Sequence, residues 1–355
     1  MDHKEVLKEL SQAFGISGYE DEVVEILKRR FENKAEVSRD RIGSLIAKKN
    51  GASESPKIMF AAHMDEIGFM VKEITKEGFI KFLPIGGWWD GNLPGLRVKI
   101  KNRKGELFPG VIGLKPIHEL PPEERKKLPD IENMYIDVGV TKNCHPAEKL
   151  GIRPGDPIMP IGQFEEMADG DILMSKAWDD RMGCALLVNL LDELVATPHP
   201  NTVYLVGTVQ EEVGLRGART SANLIQPDFA FALDVSISRD TPGNSSEAIE
   251  KLGSGVGILI YDRTMIPHTN LKNFVIELAE LNNIPYHLTS IKGGYDTGAI
   301  HLTNIGVPSL ALGIPTRYVH SAASIISYED YENLLKLIVL IVKNLDAEAM
   351  EQLLR

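Results

Sequence analysis

Five short polar clusters share one placement, each following a run that reads as a buried strand. They are His63-Met64-Asp65, Trp178-Asp179-Asp180-Arg181, Gln210-Glu211-Glu212, Leu233-Asp234 and Val319-His320-Ser321. In an open α/β sheet, ligands collect beyond the carboxyl ends of the strands, so residues distant in the chain converge there. Two histidines, several aspartates and two adjacent glutamates would meet. Carboxylates crowded in this way raise one another's pKa, and one or two dications resolve the repulsion. Imidazole nitrogen and carboxylate oxygen suit zinc, cobalt or manganese. A dinuclear site uses a bridging carboxylate with terminal His and acids, its metals ~3.5–4 Å apart. The inventory supplies one bridge, one His per metal and one terminal acid per metal.

Taken singly, each cluster also has an ordinary reading. A lone strand-end His is often a capping or core residue. Asp179-Asp180 could simply begin a helix at Arg181, since Asp favours the N-cap. Glu211-Glu212 could be solvated loop acids. Only the set, in this order and these positions, argues for a site.

The elements that must position these residues follow from periodicity. Helical patterning covers about 4–13 and 20–33, and the acidic Glu20, Asp21 and Glu22 open the second stretch as the helix dipole favours. Ser44–Lys48 and Lys57–Ala62 read as strands, and the nearly all-apolar KIMFAA reads as covered on both faces. From 68 to 165 short β-like runs (FIKFLPI, LRVKI, GELFPGVIG, MYIDVGV, DPIMPI) alternate with Gly and Pro turns, predicting a small all-β barrel. The charged PPEERKKL stretch within it reads as a solvated loop or short helix. Beyond 170 an α/β rhythm returns: a helix over Arg181–Ala196, strands over Thr202–Val209, Phe229–Val235 and Pro308–Gly313, and helices over Asn270–Leu281 and 328–347. The expected fold class is α/β, a mostly parallel mixed sheet flanked by helices. It is built from residues 1–67 and 166–355, with the β segment 68–165 inserted.

Composition narrows the classes. Hydrophobic residues are 43% and charged residues 25%, which excludes a disordered or coiled-coil chain. A net charge of −11 disfavours nucleic-acid binding, which rests on a cationic footprint. Cys144 and Cys184, without a CxxC, argue against a thiolate zinc site or a disulfide scaffold. The opening MDHKEVLKELSQAF is charged and amphipathic, unlike a signal peptide. LLKLIVLIVKNL (Leu334–Leu345) is too short and too charged for the ~20 apolar residues of a membrane span. A cytoplasmic protein with no membrane or nucleic-acid partner is expected.

The set AAHMDEIGF, KAWDDRMGC, VQEEVGLRGA, ALDV, GGYDTGAIH and PTRYVHS resembles the tetrahedral (TET-type) dinuclear metallo-aminopeptidase family, which includes glutamyl aminopeptidase-like and endoglucanase-like metallopeptidases, over essentially the whole chain. The resemblance implies a zinc-peptidase-like fold with a PDZ-like inserted β domain that mediates assembly. It implies self-association through dimers into a tetrahedral dodecamer with inward-facing active sites, and peptide substrates. It assigns His63, Asp179, Glu212, Asp234 and His320 as ligands of two divalent ions, zinc or cobalt, with Asp179 bridging. The Asp179-Asp180 peptide is often cis in related enzymes. Glu211 matches the general base and Asp65 the acid that orients His63, as second-shell carboxylates commonly do. One departure stands out: the family usually shows GGTDAG where this chain has Gly293-Gly294-Tyr295-Asp296-Thr297-Gly298. Asp296 there is either a substrate-side or supporting acid, or a turn residue. His118, His301 and Cys184 read as structural.

The implied reaction is hydrolysis of N-terminal residues from peptides, by water activated between two divalent ions and deprotonated by Glu211. A related dinuclear amidase or deacylase would use the same ligands. A glycosidase would use Glu211 and Glu212 as its carboxylate pair but leave the histidines without roles. A non-catalytic oligomeric scaffold would tolerate loss of Glu211 or a ligand, and none is lost.

Overall fold

The KIMFAAH run forms a strand, Lys57–His63, buried at every position after the first. Its alternation sorts side chains to two faces. Ile58, Phe60 and Ala62 join the large core, while Met59 and Ala61 join a smaller cluster on the other side. In this computed structural model, which describes residues 2–142, 144–167, 170–244 and 247–355 (Glu148 by its backbone alone), that strand lies centrally. It is parallel to Thr202–Thr208 on one side and Phe229–Ile237 on the other, and the latter is parallel to Ser309–Arg317. Phe60 stacks on Phe231, its register partner, at 5.1 Å between centroids.

The margins of this eleven-stranded sheet are antiparallel. Leu45–Lys49 and Glu36–Arg39 extend one side; Ser324–Ser327, Ile172–Ser175 and Glu165–Glu166 extend the other. Val256–Tyr261 pairs antiparallel with Ser309–Arg317 and parallel with Tyr286–Ser290. The fold is therefore mixed α/β, with its parallel strands at the centre.

Helix Trp178–Ala196 packs on the large-core face. Val6, Leu7 and Leu10 of His3–Gln12, Leu27 of Asp21–Phe31 and Leu334, Ile338 and Ile341 of Tyr328–Asn344 share that core. Arg216–Ile225 covers the opposite face through Ala218, Ala222 and Ile225. The closing helix stops at Asn344 rather than reaching 347. Asp346 accepts from Ala349 N at 2.8 Å and opens a separate helix, Ala347–Leu353. An Asp at that place competes for the chain as an N-cap.

The strands Gly68–Ile74, Ile80–Ile85, Tyr135–Asp137, Leu107–Gly113, Arg97–Lys101 and Pro157–Pro160 close into an antiparallel barrel. Phe69, Val71, Val98, Ile100, Ile112, Ile136 and Ile158 fill its interior, a core separate from that of the sheet. Residues 121–128 (PPEERKKL) are exposed turns.

Candidate metal centre

His63 is the last residue of its strand and is in register with Thr208, so Glu211 and Glu212 emerge just beyond on the neighbouring strand. Asp234 lies inside a strand, as the expected range Phe229–Val235 has it, rather than just past one as the cluster pattern has it. It lies within Phe229–Ile237, because pairing with Ser309–Arg317 continues as far as Ile237 opposite Thr316. Non-glycine residues with left-handed backbone gather here: Ala177 (φ 56°), Gln210 (φ 57°), Tyr318 (φ 57°) and His320 (φ 59°). Such conformations cost about 1–3 kcal/mol each and collect at functional sites.

The two adjacent aspartates divide their tasks. The Asp179-Asp180 peptide is cis, and both residues are non-helical. Asp180 accepts from Gly183 N at 2.9 Å and from His63 N at 3.0 Å, capping the helix and tying it to the strand end. Asp179 turns the other way, between the two histidines. Its Oδ1 is 2.8 Å from His63 Nε2 and its Oδ2 is 3.4 Å from His320 Nε2. His320 Nε2 is also 3.3 Å from Glu212 Oε1. His63 Nε2 lies 3.9 Å from Asp234 Oδ2 and 4.0 Å from Glu211 Oε2. Donor atoms of His63, Asp179 and Glu212 fall within 4.8 Å of one another, and so do those of His63, Glu211 and Asp234. Neither triad includes His320, and the second includes Glu211, the residue expected to be a base.

Each histidine uses its other nitrogen on a main-chain carbonyl. His63 Nδ1 is 2.9 Å from Asp65 O, and His320 Nδ1 is 2.7 Å from Gly87 O. Nε2 of each ring is therefore the atom turned to Asp179. The contact from Asp65 thus comes from its carbonyl rather than from its carboxylate as expected. The carboxylate Oδ1 is 3.6 Å from His63 Nδ1 and instead accepts from Glu211 N at 3.0 Å, while Oδ2 accepts from Glu212 N at 3.2 Å and from Ser17 Oγ at 2.6 Å. Gly87 belongs to the loop after Ile80–Ile85, so the barrel reaches the site. A Cβ on Gly87 would stand 3.2 Å from His320 Nδ1.

The electrostatics are those of a crowded acid cluster. Burial, then the charges of Asp296, Glu212 and Asp234, push Glu211 well above the carboxylate range, although His63 opposes them. Burial and the Asp179 charge do the same to Asp234. Glu212 is raised by burial, against the His320 imidazole 3.3 Å away. Asp179 is held far below the usual range despite its burial by the two imidazoles. Burial opposes charge on His320, but Asp179 and Glu212 raise it to about 11. Protons are retained where a cation would otherwise sit. Glu212 Oε1 is buried without a hydrogen-bond partner, as is Asp296 Oδ1. A crowd of carboxylates that retains protons, an orphaned carboxylate oxygen and a hard–borderline O/N donor set all fit divalent ions.

Asp296 is buried, accepts from Thr208 Oγ1 at 2.5 Å and is raised to about 6 by burial, so it is more than a surface turn residue. Tyr295 OH donates to Val235 O at 2.9 Å, and Thr297 is buried. His301 Nδ1 meets Thr297 O within its own turn, and His118 is exposed. Cys184 Sγ lies 3.2 Å from His63 O, with burial raising its thiol far above the ordinary value. Sequence reasoning missed Ser17, Glu20, Gly87 and a neighbouring buried group, Glu66, Lys176 and Arg181. Lys176 Nζ and Arg181 Nη2 meet Glu66 Oε1 at 2.6 and 3.3 Å.

The family model described as M42 glutamyl aminopeptidase matches residues 43–337. The chain is 35% identical to the glutamyl aminopeptidase of Lactococcus lactis subsp. cremoris, over 98% of each chain. Among solved structures it is similar to a TET aminopeptidase from the marine sediment archaeon Thaumarchaeota archaeon SCGC AB-539-E09, with 43% identity, a TM-score of 0.95 and 99% and 98% of the two chains covered. It is also similar to the Pyrococcus horikoshii TET1 peptidase, described as assembling into a tetrahedron or a large octahedral shell, with 33% identity, a TM-score of 0.86 and 97% and 100% covered. With these relatives, an α/β sheet carrying an acid–histidine cluster at its strand ends belongs to a hydrolase. The chain belongs to the M42 glutamyl aminopeptidase family and is a peptidase.

Proposed function

We propose that this chain is a metal-dependent aminopeptidase that removes N-terminal residues from peptides. The observation that carries the reading is Asp179, whose two oxygens face the Nε2 atoms of two histidines with Glu212 and Asp234 beside them. His63, Asp179, Glu212, Asp234 and His320 would hold two divalent ions, zinc or cobalt, with Asp179 shared. Bound there, the ions would supply a water of near-neutral pKa and a polarised scissile carbonyl. Glu211 takes the proton of the attacking water and returns it to the leaving amine. Its side chain is 10% exposed, so the proton stays out of bulk solvent during transfer. Asp65 holds the amides of both glutamates, one on each carboxylate oxygen, and so fixes the backbone that presents them to the cluster.

In the same reading, residues 1–67 and 166–355 form the catalytic unit. Residues 68–165 form a PDZ-like inserted domain that serves self-association into a tetrahedral dodecamer. The assembly described for the TET1 relative supports this. Free Cys144 and Cys184 fit a cytoplasmic setting. Among the described residues no helix is long and apolar enough to cross a membrane.

The test is a panel of aminoacyl-p-nitroanilides, each with its N-acetylated counterpart, on metal-loaded and chelator-stripped protein. Turnover of free amines only, lost on stripping, supports the reading and reveals the preferred first residue. Turnover of acetylated substrates replaces it with a general amidase or deacylase.

A further inference from the structure

Three successive amides at the turn that launches Glu211 and Glu212 are each captured by a buried carboxylate. Gln210 N donates to Glu20 Oε1 at 3.1 Å, Glu211 N to Asp65 Oδ1 at 3.0 Å and Glu212 N to Asp65 Oδ2 at 3.2 Å. Glu20 is 5% exposed, and the same Oε1 accepts from Gly18 N at 2.8 Å. It stands at the N-cap of Asp21–Phe31 yet makes no side-chain bond to that helix. An acid at an N-cap ordinarily spends its oxygen on its own helix. Here the oxygen crosses instead to a strand-end turn about 190 residues away.

That turn needs an outside hold. Gln210 adopts φ 57°, where an L-residue is unfavourable by about 1–2 kcal/mol. Burial and the neighbouring Asp65 charge raise Glu20 to about 7. A merely structural helix start has no need of two carboxylates packed together. Among the described residues Glu20 makes no hydrogen bond or ion pair to a candidate ligand side chain, and the proposed reaction does not use it.

We propose that Glu20 is a positioning residue, whose oxygen on the Gln210 amide works with Asp65 to aim Glu211. This rests on Glu211 being the general base. What matters is then the reach of one acceptor oxygen, not charge. Glu20→Gln keeps the oxygen in place without the charge; Glu20→Asp keeps the charge and withdraws the oxygen by one methylene.

The experiment measures kcat, KM and metal content by elemental analysis on the full chain. It uses the p-nitroanilide the wild type turns over fastest, with E20Q, E20D, E20A and E211Q compared. E20D and E20A are expected to lose about 10–100-fold in kcat, the usual effect of removing an outer-shell partner. Their KM and metal content should stay at wild-type values, and E20Q should run near wild type. Wild-type kcat in E20D overturns the inference. So does an E20Q as slow as E20D, or a loss that tracks lost metal. If E20A fails to fold, the Gln and Asp pair still decides. An active E211Q would instead bring down the reading of Glu211, and the inference with it. An inactive E211Q with an indifferent E20D brings down the inference alone.

Discussion

Two buried charge clusters share the chain around His63–Glu66 and Lys176–Arg181, and they are balanced in opposite ways. In one, Glu66 Oε1 receives both Lys176 and Arg181. Arg181 spends its remaining donors on the carbonyls of Met64, Leu10, Ala13 and Gly15, at 2.8 to 3.2 Å. In the other, Asp179, Glu211, Glu212 and Asp234 surround two imidazoles, and Glu212 Oε1 has no hydrogen-bond partner. The first cluster is complete with atoms of this chain. The second has more acceptors than the chain can satisfy, and its balance must come from outside. A buried charge network finished from within acts as framework; one left unfinished has acceptors to spare, as the proposed metal binding requires.

The largest test of that contrast is one chemical change made in both clusters. Glu211→Gln should lower kcat by about 10²–10⁴-fold, the range for losing a general base. It should not destabilise the metal-free protein, because Gln resembles the protonated acid that burial and the acidic neighbours favour there. Glu66→Gln should leave two buried cations without a counter-charge and cost about 3–5 kcal/mol in urea unfolding. Equal stability losses in the two variants would erase the distinction between the clusters.

Metal loading sharpens it next. Ions that bind only the folded chain stabilise it by about 4 kcal/mol at a thousandfold excess over Kd. Calorimetry should show a rise in Tm on loading that chelator reverses. Asp234→Asn should shrink the rise, and Glu66→Gln should leave its size unchanged from a lower baseline. A rise equally lost in both would mean that the ions depend on the framework as a whole.

The two clusters also differed in how far they could be read from sequence. The acid–histidine cluster was legible because its residues form compact words at strand ends: HMD, WDDR, QEE and VHS. The strand carrying Asp234 runs two residues past the expected Val235, since nothing local shows that its pairing continues to Ile237. Glu66, Lys176 and Arg181 were invisible. A single charged residue beside a motif looks solvated, and only long-range packing buries it. Asp65 was found as a participant but not by its contact, because the choice between carbonyl and carboxylate is set by turn geometry. The central strands and long helices followed their periodicity. Ile172–Ser175 and Ser324–Ser327 are too short to show one and are strands because neighbours supply their partners.

The smallest effect concerns pH and falls on Lys176. Burial, with Arg181 beside it, lowers the ammonium from an ordinary 10.5 to about 8, although Glu66 pulls the other way. Between those two values the unfolded chain holds a proton that the fold has released. Stability therefore rises with pH across that window, by at most about 1.4 kcal/mol per unit. Below about 8 the lysine is charged in both states and the fold bears the cost of burying it. Lys176→Met should flatten the rise while Arg181 keeps Glu66 paired, so the loss at pH 7 should be smaller than that of Glu66→Gln. Urea titrations at several pH values on metal-loaded protein would show it. A rise that survives in Lys176→Met would place the titrating proton elsewhere. A loss at pH 7 as large as that of Glu66→Gln would mean that Arg181 cannot hold Glu66 alone, and that the framework cluster is a true triad rather than a pair with a guest.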